Sequence, residues 1–438
     1  MVVTITKNNK IYSNGSIKSS IKYYICTFYA SLLVIFGFIM DTAKNIFFGL
    51  LNIVTQPDIL ITDYIEVGGL GGAFVNSGIL TLITILIFRI LKIDISGPGI
   101  STLWLTSGFS LFGKNIFNIW FIILGVYLYS KSQRESFNKY VYTAMLGTCL
   151  SPLVTQFTFN LGTVNIKSII LGAIVGVLTG FLLPPLSSYL LKIHRGYNLY
   201  NTGFAAGIIG MVFASIIKSY GFALETRLIW TKGNNSILFP FLLFMFLSMV
   251  VLGFCLNDFS FKGYTNLFRY SGKLSTDFVE LVGFPVVLIN MGINGILASL
   301  FVILVNGDLN GPTLGGIFTI VGFSAFGKHL KNMFPVILGV YIGSLTKIWY
   351  INDPSVILAA LFCTTLAPIA GEYGFIAGTI AGFLHSSVVL NVTFLHQGFN
   401  LYNNGFSGGF VAIILIPIIE SLRNTRLKKD VNSNKMED

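Results

Sequence analysis

Two near-identical phrases hold most of the polar chemistry in this chain. Residues 194–207 read HRGYNLYNTGFAAG and residues 396–409 read HQGFNLYNNGFSGG. Asn198, Tyr200 and Asn201 recur as Asn400, Tyr402 and Asn403. Amides and phenols cost several kcal/mol in an apolar setting unless each finds a partner, so these residues serve either packing or a solute pathway. The His-x-Gly that opens each phrase ends a loop, and the spacing predicts helices beginning at about Asn198 and Asn400. Asn caps helices well and Gly permits the turn. A helix start presents free N–H groups and a partial positive charge, to which the asparagines add donors and acceptors. The competing reading is that Asn and Tyr bond neighbouring backbone, while Gly203/Gly207 and Gly405/Gly409 let helices approach closely.

Other pairs repeat in the same way. Glu66 with Lys114 recurs as Glu280 with Lys328. These are candidates for gates at the two mouths of a pathway, or for interfacial ion pairs and snorkelling side chains. Asn76 and Asn290 fall about ten residues into apolar segments, where they either line a pathway or bond across helices. Glu372 follows Pro368 inside an apolar stretch, where the first half has Gln156. A carboxylate within a membrane is a functional candidate, here for proton coupling. Gly172/Gly176/Gly180 and Gly374/Gly378/Gly382 carry the spacing of close helix packing.

Catalytic patterns are weak. Gly405-Phe406-Ser407-Gly408-Gly409 fits G-x-S-x-G, with His385 or His396 as a conceivable base, but the matching first-half residue is Ala205. An intramembrane serine protease is therefore the third reading, and no enzyme activity is expected. No zinc spacing, phosphate loop or dinucleotide fingerprint is present, so neither metal nor cofactor is expected. Cys26, Cys149, Cys255 and Cys363 lie in apolar segments at unrelated spacing and read as small buried hydrophobes.

The elements that position these residues are membrane helices. Apolar residues make up 54% of the chain and charged residues 10%, with a mean hydropathy of +0.78; soluble domains carry roughly 25% charged residues. The net charge of +11 has no basic domain with interleaved aromatics to go with it, which excludes a nucleic-acid partner and points to basic cytoplasmic loops. Matches at one constant offset run from TDYIEVGG (62–69) and TDFVELVG (276–283), through GFSLFGK (108–114) and GFSAFGK (322–328), to two copies of LGVY. They divide the chain into a basic tail (1–21), a first repeat (22–220), a linker (221–234), a second repeat (235–421) and a tail (422–438). Seven apolar segments are expected per repeat, near 23–40, 67–88, 97–113, 116–130, 141–157, 168–190 and 198–217, then 236–256, 281–305, 311–327, 333–346, 355–371, 374–393 and 400–420. If all cross and the N-terminus is cytoplasmic, 21 of the 28 Lys and Arg lie inside, which favours inverted halves with both termini cytoplasmic. If 97–113 and 311–327 re-enter instead, 18 lie inside. The expected fold is thus an all-α integral membrane protein, a polytopic bundle of inverted repeats with about 10–14 membrane segments.

The phrase H-x-G-[YF]-N-L-Y-N-x-G-F, with G-F-S-x-F-G-K and L-G-V-Y, resembles a bacterial family of internally duplicated membrane proteins of unknown function. The resemblance covers nearly the whole chain and implies a multi-pass protein of the cell membrane, without naming an activity. Urea transporters are a more distant analogy, with inverted halves and Gly/Asn-containing helix starts. Their L-P-x-x-T-x-P-F signature is missing here, and LLPPLSS (182–188) is no match for it. The expected function is a transporter or channel for a small polar solute, passive or ion-coupled, with its pathway between the repeats. The alternative is a scaffold or complex subunit that keeps a transporter-like fold. Expected partners are the lipid bilayer, the solute and a second copy of the chain.

Overall fold

The structure is a computed structural model that describes residues 12–13, 16–159, 164–222 and 227–434, with side chains as far as residue 424. Most of the basic N-terminal tail, residues 223–226 of the linker and the last four residues lie outside the described residues. The first repeat contains α1 (Ser19–Met40), α2 (Ala43–Val54), α3 (Tyr64–Ile90), α4 (Gly97–Phe109), α5 (Trp120–Ser132), α6 (Val141–Gly147), α7 (Ser151–Phe159), α8 (Ile166–His194) and α9 (Asn201–Ser219). The second contains α10 (Asn235–Leu256), α11 (Phe278–Val282), α12 (Phe284–Leu304), α13 (Gly311–Phe323), α14 (Leu330–Thr346), α15 (Pro354–Phe362), α16 (Ala367–Tyr373), α17 (Phe375–His396) and α18 (Asn403–Asn434). Two-residue strands at Tyr12–Ser13 and Ser16–Ile17 precede α1. Among the described residues, nine helical stretches are long and apolar enough to cross a membrane, one of them the run Pro354–Tyr373 that holds α15 and α16.

Three departures from the expected segments have local causes. Helix α2 was not expected, because its apolar run is shorter than a membrane span; Thr42 starts it by accepting from Asn45 N (3.3 Å). The segments at 141–157 and 355–371 are not single helices. Each breaks at a 3-10 turn, Thr148–Leu150 and Cys363–Leu366, followed by a proline in the first turn of the next helix. The segments at 97–113 and 311–327 are helices of 13 residues, about 20 Å long, against a hydrocarbon core of about 30 Å.

These two short helices form the centre. Every residue of α13 is buried, and so is every residue of α4 except Pro98. Burial on all sides suits their composition, which is apolar or small all round. They pack directly on each other. A Cβ on Gly108 would come within 3.0 Å of Gly315 Cα, and one on Gly322 within 3.1 Å of Ser101 Cα. Residue 101 thus faces 322 and residue 108 faces 315, so equivalent helices of the two repeats meet antiparallel, as inverted halves require. Trp104 and Phe318, near the midpoint, are in edge contact at 5.1 Å.

The repeats also cap each other's central helices. Asp63 Oδ1 accepts from Ile65 N (3.0 Å) at the head of α3, and from Gly311 N (3.1 Å) at the head of α13 in the other repeat. Asp277 accepts from Val279 N (2.8 Å) beside α11, and from Gly97 N (3.0 Å) at the head of α4. A carboxylate suits both helix starts, because it answers free N–H groups and a positive dipole end together. Just beyond, Gly69 (φ 73°) kinks α3 and Gly283 (φ 90°) separates α11 from α12. That backbone region favours glycine.

Candidate functional site at the contact between the repeats

Helices α4 and α13 both end in the G-F-S-x-F-G-K turn. In the first repeat, Ser110 N closes the helix on Thr106 O (3.0 Å), and Lys114 N returns to Phe109 O (2.9 Å). In the second, Lys328 N returns to Phe323 O (2.9 Å). Asn76 on α3 holds this turn: its Nδ2 donates to Ser110 O (2.7 Å) and Lys114 O (2.8 Å). Asn290 on α12 donates likewise to Ser324 O and Lys328 O (both 2.8 Å). Both asparagines thus bond across helices, one of the two roles expected of them.

The turns point their lysines inward. Lys114 and Lys328 are both 0% exposed. Lys114 Nζ donates to the Tyr402 hydroxyl (2.8 Å) and reaches Met145 O (3.5 Å), beside the break after α6. Lys328 Nζ donates to the Tyr200 hydroxyl. Each lysine therefore pairs with the phrase tyrosine of the other repeat. Each also lies over aromatic faces: Lys114 over Tyr402 (4.9 Å) and Phe109 (5.7 Å), Lys328 over Tyr200 (4.6 Å) and Phe323 (5.1 Å). Phe362 bridges the two pairs, touching Phe109 (5.6 Å) and Tyr200 (6.3 Å).

The expected pairing of Glu66 with Lys114 and of Glu280 with Lys328 is not what the structure brings together. Both glutamates are exposed at the first turns of α3 and α11, while both lysines are buried. Sequence hydropathy misses the difference because it reports no depth: a lysine that ends an apolar run looks like an interfacial one. Glu372 is also not the buried carboxylate the apolar context suggested. Helix α16 stops at Tyr373, Gly374 (φ 89°) turns the chain, and Glu372 lands at the surface, 3.2 Å from Lys273 Nζ.

The two phrases interlock. Helices α9 and α18 begin at Asn201 and Asn403, three residues later than the spacing predicted. The delay has a cause. Arg195 and Gln397 end the preceding helices in left-handed conformation, and the next residues dock their backbone across the interface. Leu199 N donates to Thr365 O and Leu401 N to Cys149 O (both 3.0 Å), so each phrase grips the broken helix of the other repeat. Asn198 Nδ2 donates to Gly405 O (2.9 Å) and Asn400 Nδ2 to Gly203 O (3.0 Å). Asn201 Oδ1 pairs with His194 Nε2 and Asn403 Oδ1 with His396 Nε2 (both 2.8 Å). Helices α9 and α18 cross at glycines, where a Cβ on Gly203 would meet Tyr402 O at 2.8 Å and Gly405 Cα at 3.2 Å. The four asparagines common to both phrases are thus hydrogen-bonded inside the protein, whereas Asn404, found only in the second, buries its Oδ1 without a partner. An apolar crevice lined by Tyr29, Leu33, Trp104, Met249 and Met291 also lies between the repeats, and no phrase residue lines it.

The G-x-S-x-G serine is part of this packing. Ser407 Oγ donates to Asn403 O (3.2 Å), His396 Nε2 pairs with Asn403, and His385 Nε2 with Asn404 O (3.3 Å). Among the described residues no group of three His, Cys, Asp or Glu is placed to hold a metal ion.

Sequence reading missed a further cluster. Asp58, in the link between α2 and α3, is fully buried. It accepts from Tyr64 OH (2.6 Å), Asn115 Nδ2 (3.1 Å) and Asn118 Nδ2 (2.8 Å). Burial pushes its carboxyl up to about 7, against the pull of those hydrogen bonds and of the Arg227 charge. The signal available in the sequence was Asn115 and Asn118, three apart after the glycine turn, but nothing in it tied them to Asp58.

Buried polar turns, antiparallel short helices and nine long apolar helical stretches define a polytopic helical membrane protein built from two repeats. The chain belongs to the family described as "Protein of unknown function (DUF1576)", which matches residues 42–219 and 256–421, once in each repeat. No curated protein and no solved structure matches the chain, so the urea-transporter analogy finds no support.

Proposed function

We propose that the chain is a membrane transporter or channel for a small polar solute, passive or ion-coupled, whose pathway runs through the contact between its repeats. One observation carries this reading. Each repeat buries a lysine against the other repeat's tyrosine, and each also contains a helix that breaks at a 3-10 turn. Broken helices and buried charge are costly in a bilayer and are tolerated where they serve a pathway. In this reading the protein has no enzyme activity, lies in the bacterial inner membrane with both termini cytoplasmic, and works alone or as a homo-oligomer. Purified protein in liposomes should pass at least one of a panel of neutral amides, ammonia, small anions and nucleobases. Correctly folded protein that passes none of them overturns the reading.

A second reading has its own support. The hydrogen-bonded asparagines shared by the two phrases are what a scaffold or complex subunit would hold. Alanine at Asn201 and Asn403 separates the two: a pathway role lowers flux at normal expression, whereas a scaffold role lowers expression alone.

A further inference from the structure

We infer that Lys114 and Lys328 bind a small monovalent anion between the repeats. This names the solute class of the pathway proposed above and rests on that reading.

Charge and donor capacity point to it. The four ion pairs among the described residues join Lys22 to Asp94, Lys139 to Glu135, Arg195 to Glu420 and Lys273 to Glu372. None of them involves either central lysine, although both are fully buried. A fully buried amine holds its proton only with a compensating charge beside it, which a bound anion would supply. Its three N–H groups are donors only. Lys328 spends one on Tyr200, and Lys114 spends two on Tyr402 and Met145 O. Tyr402, accepting from Lys114, keeps its own O–H to donate, whereas the Tyr200 hydroxyl is shared with Thr364. The surroundings therefore offer donors in excess of acceptors, which is the chemistry of an anion site and not of a cation or a neutral amide.

The walls limit which anion fits. Phe109, Phe323 and Phe362 supply aromatic surface and no further hydrogen bonds. The cost of dehydrating an ion rises with the square of its charge, so a site this apolar selects monovalent ions over sulfate or phosphate. The ring of Phe362, in contact with both Phe109 and Tyr200, joins the two half-sites, so an anion released from one lysine would meet the other across it.

The test is titration of purified full-length protein in detergent with sodium chloride, nitrate or formate, and sulfate as control, read by calorimetry and melting temperature. Chloride, nitrate or formate should bind and raise the melting temperature, and sulfate should not. K114M and K328M should each weaken binding about tenfold, the loss expected for one charge-assisted hydrogen bond, while K114R and K328R should retain most of it. Y200F and Y402F, which keep the ring packing, should also weaken binding. If the wild-type protein shows no binding of any of the three monovalent anions, the inference falls whatever the variants do. Flux of neutral solutes without anion binding would leave the transport reading standing and remove this one. Anion binding without flux of any solute would do the reverse.

Discussion

In the first repeat Asp58 is gripped by Tyr64, Asn115 and Asn118; at the matching positions the second repeat has Gly272, Phe278, His329 and Asn332. His329 keeps one task of Asn115: its ring accepts from Asn332 N (3.3 Å), as Asn115 Oδ1 accepts from Asn118 N (3.1 Å). Its other ring nitrogen pairs with Tyr270 O (2.9 Å) instead of a carboxylate. An aspartate at 272 would clash with backbone, because a Cβ on Gly272 (φ 81°) would lie 2.0 Å from Gly327 O. The centre behaves in the opposite way. The lysine–tyrosine pairs, the turn-holding asparagines and the capping aspartates occur in both repeats. Contacts across the pseudo-symmetric interface must suit both repeats at once, whereas the outer ends are free to diverge. A difference between the two repeats is what any pH-dependent behaviour would draw on.

The largest effect should come from breaking the one-sided cluster. D58A leaves Tyr64, Asn115 and Asn118 without their acceptor in a buried site and should destabilise the protein by ~3 kcal/mol, read as melting temperature in detergent. H329A, at the other end of the comparison, removes a helix cap and should cost only ~1 kcal/mol. Equal losses would mean that the two ends are energetically alike. The symmetric centre should answer symmetrically. G203V and G405V each force a side chain into the α9–α18 crossing and should cost ~1–3 kcal/mol, to the same extent. A clear inequality would show that the crossing does not lie on the pseudo-symmetry axis.

The pH dependence follows from the same cluster. Burial raises the Asp58 carboxyl from 3.8 to about 7, so its protonated form is favoured in the folded state. Its contribution to stability is then full below about pH 4 and is lost as pH rises through about 7. Asp63, raised by burial to about 6, adds the same sign. Melting temperature should fall between pH 4 and 7, and D58N should flatten most of that slope; an unchanged slope removes Asp58 as its source. The smallest effect should be at the surface. Arg195 and Glu420 form a half-exposed ion pair (2.7 Å), where the other repeat has Gln397 and Lys218. E420Q should change stability by less than ~1 kcal/mol, and less still at high salt.

The duplication was legible because TDY/TDF, GFSxFGK and LGVY recur at one offset, and inversion followed from where the basic residues fall. The antiparallel meeting of α4 and α13 agrees with it. Depth was not legible. Lys114 and Lys328 end apolar runs, and a linear pattern cannot tell the end of a membrane span from the tip of a short helix buried in the middle. Helix α2 was lost for the same reason, being apolar but too short to register as a span. The partners of the phrase asparagines were beyond reach as well, because Asn198 bonds Gly405 and Asn400 bonds Gly203, each about two hundred residues away.

Interlocking has a consequence for how the protein is made. Lys114 emerges 288 residues before the tyrosine that receives it. At about 5–20 residues per second, roughly 15–60 s pass on the ribosome before the buried lysine of the first repeat can meet its tyrosine. Until α18 enters the bilayer, the finished half of the molecule lacks part of its interior, which makes the last helix the step that commits the chain to its native form. An ancestor with a single repeat would have completed itself by exchanging phrases with a second copy inserted the other way up. Expressed separately, the two halves should therefore be recovered together from the membrane, and neither alone.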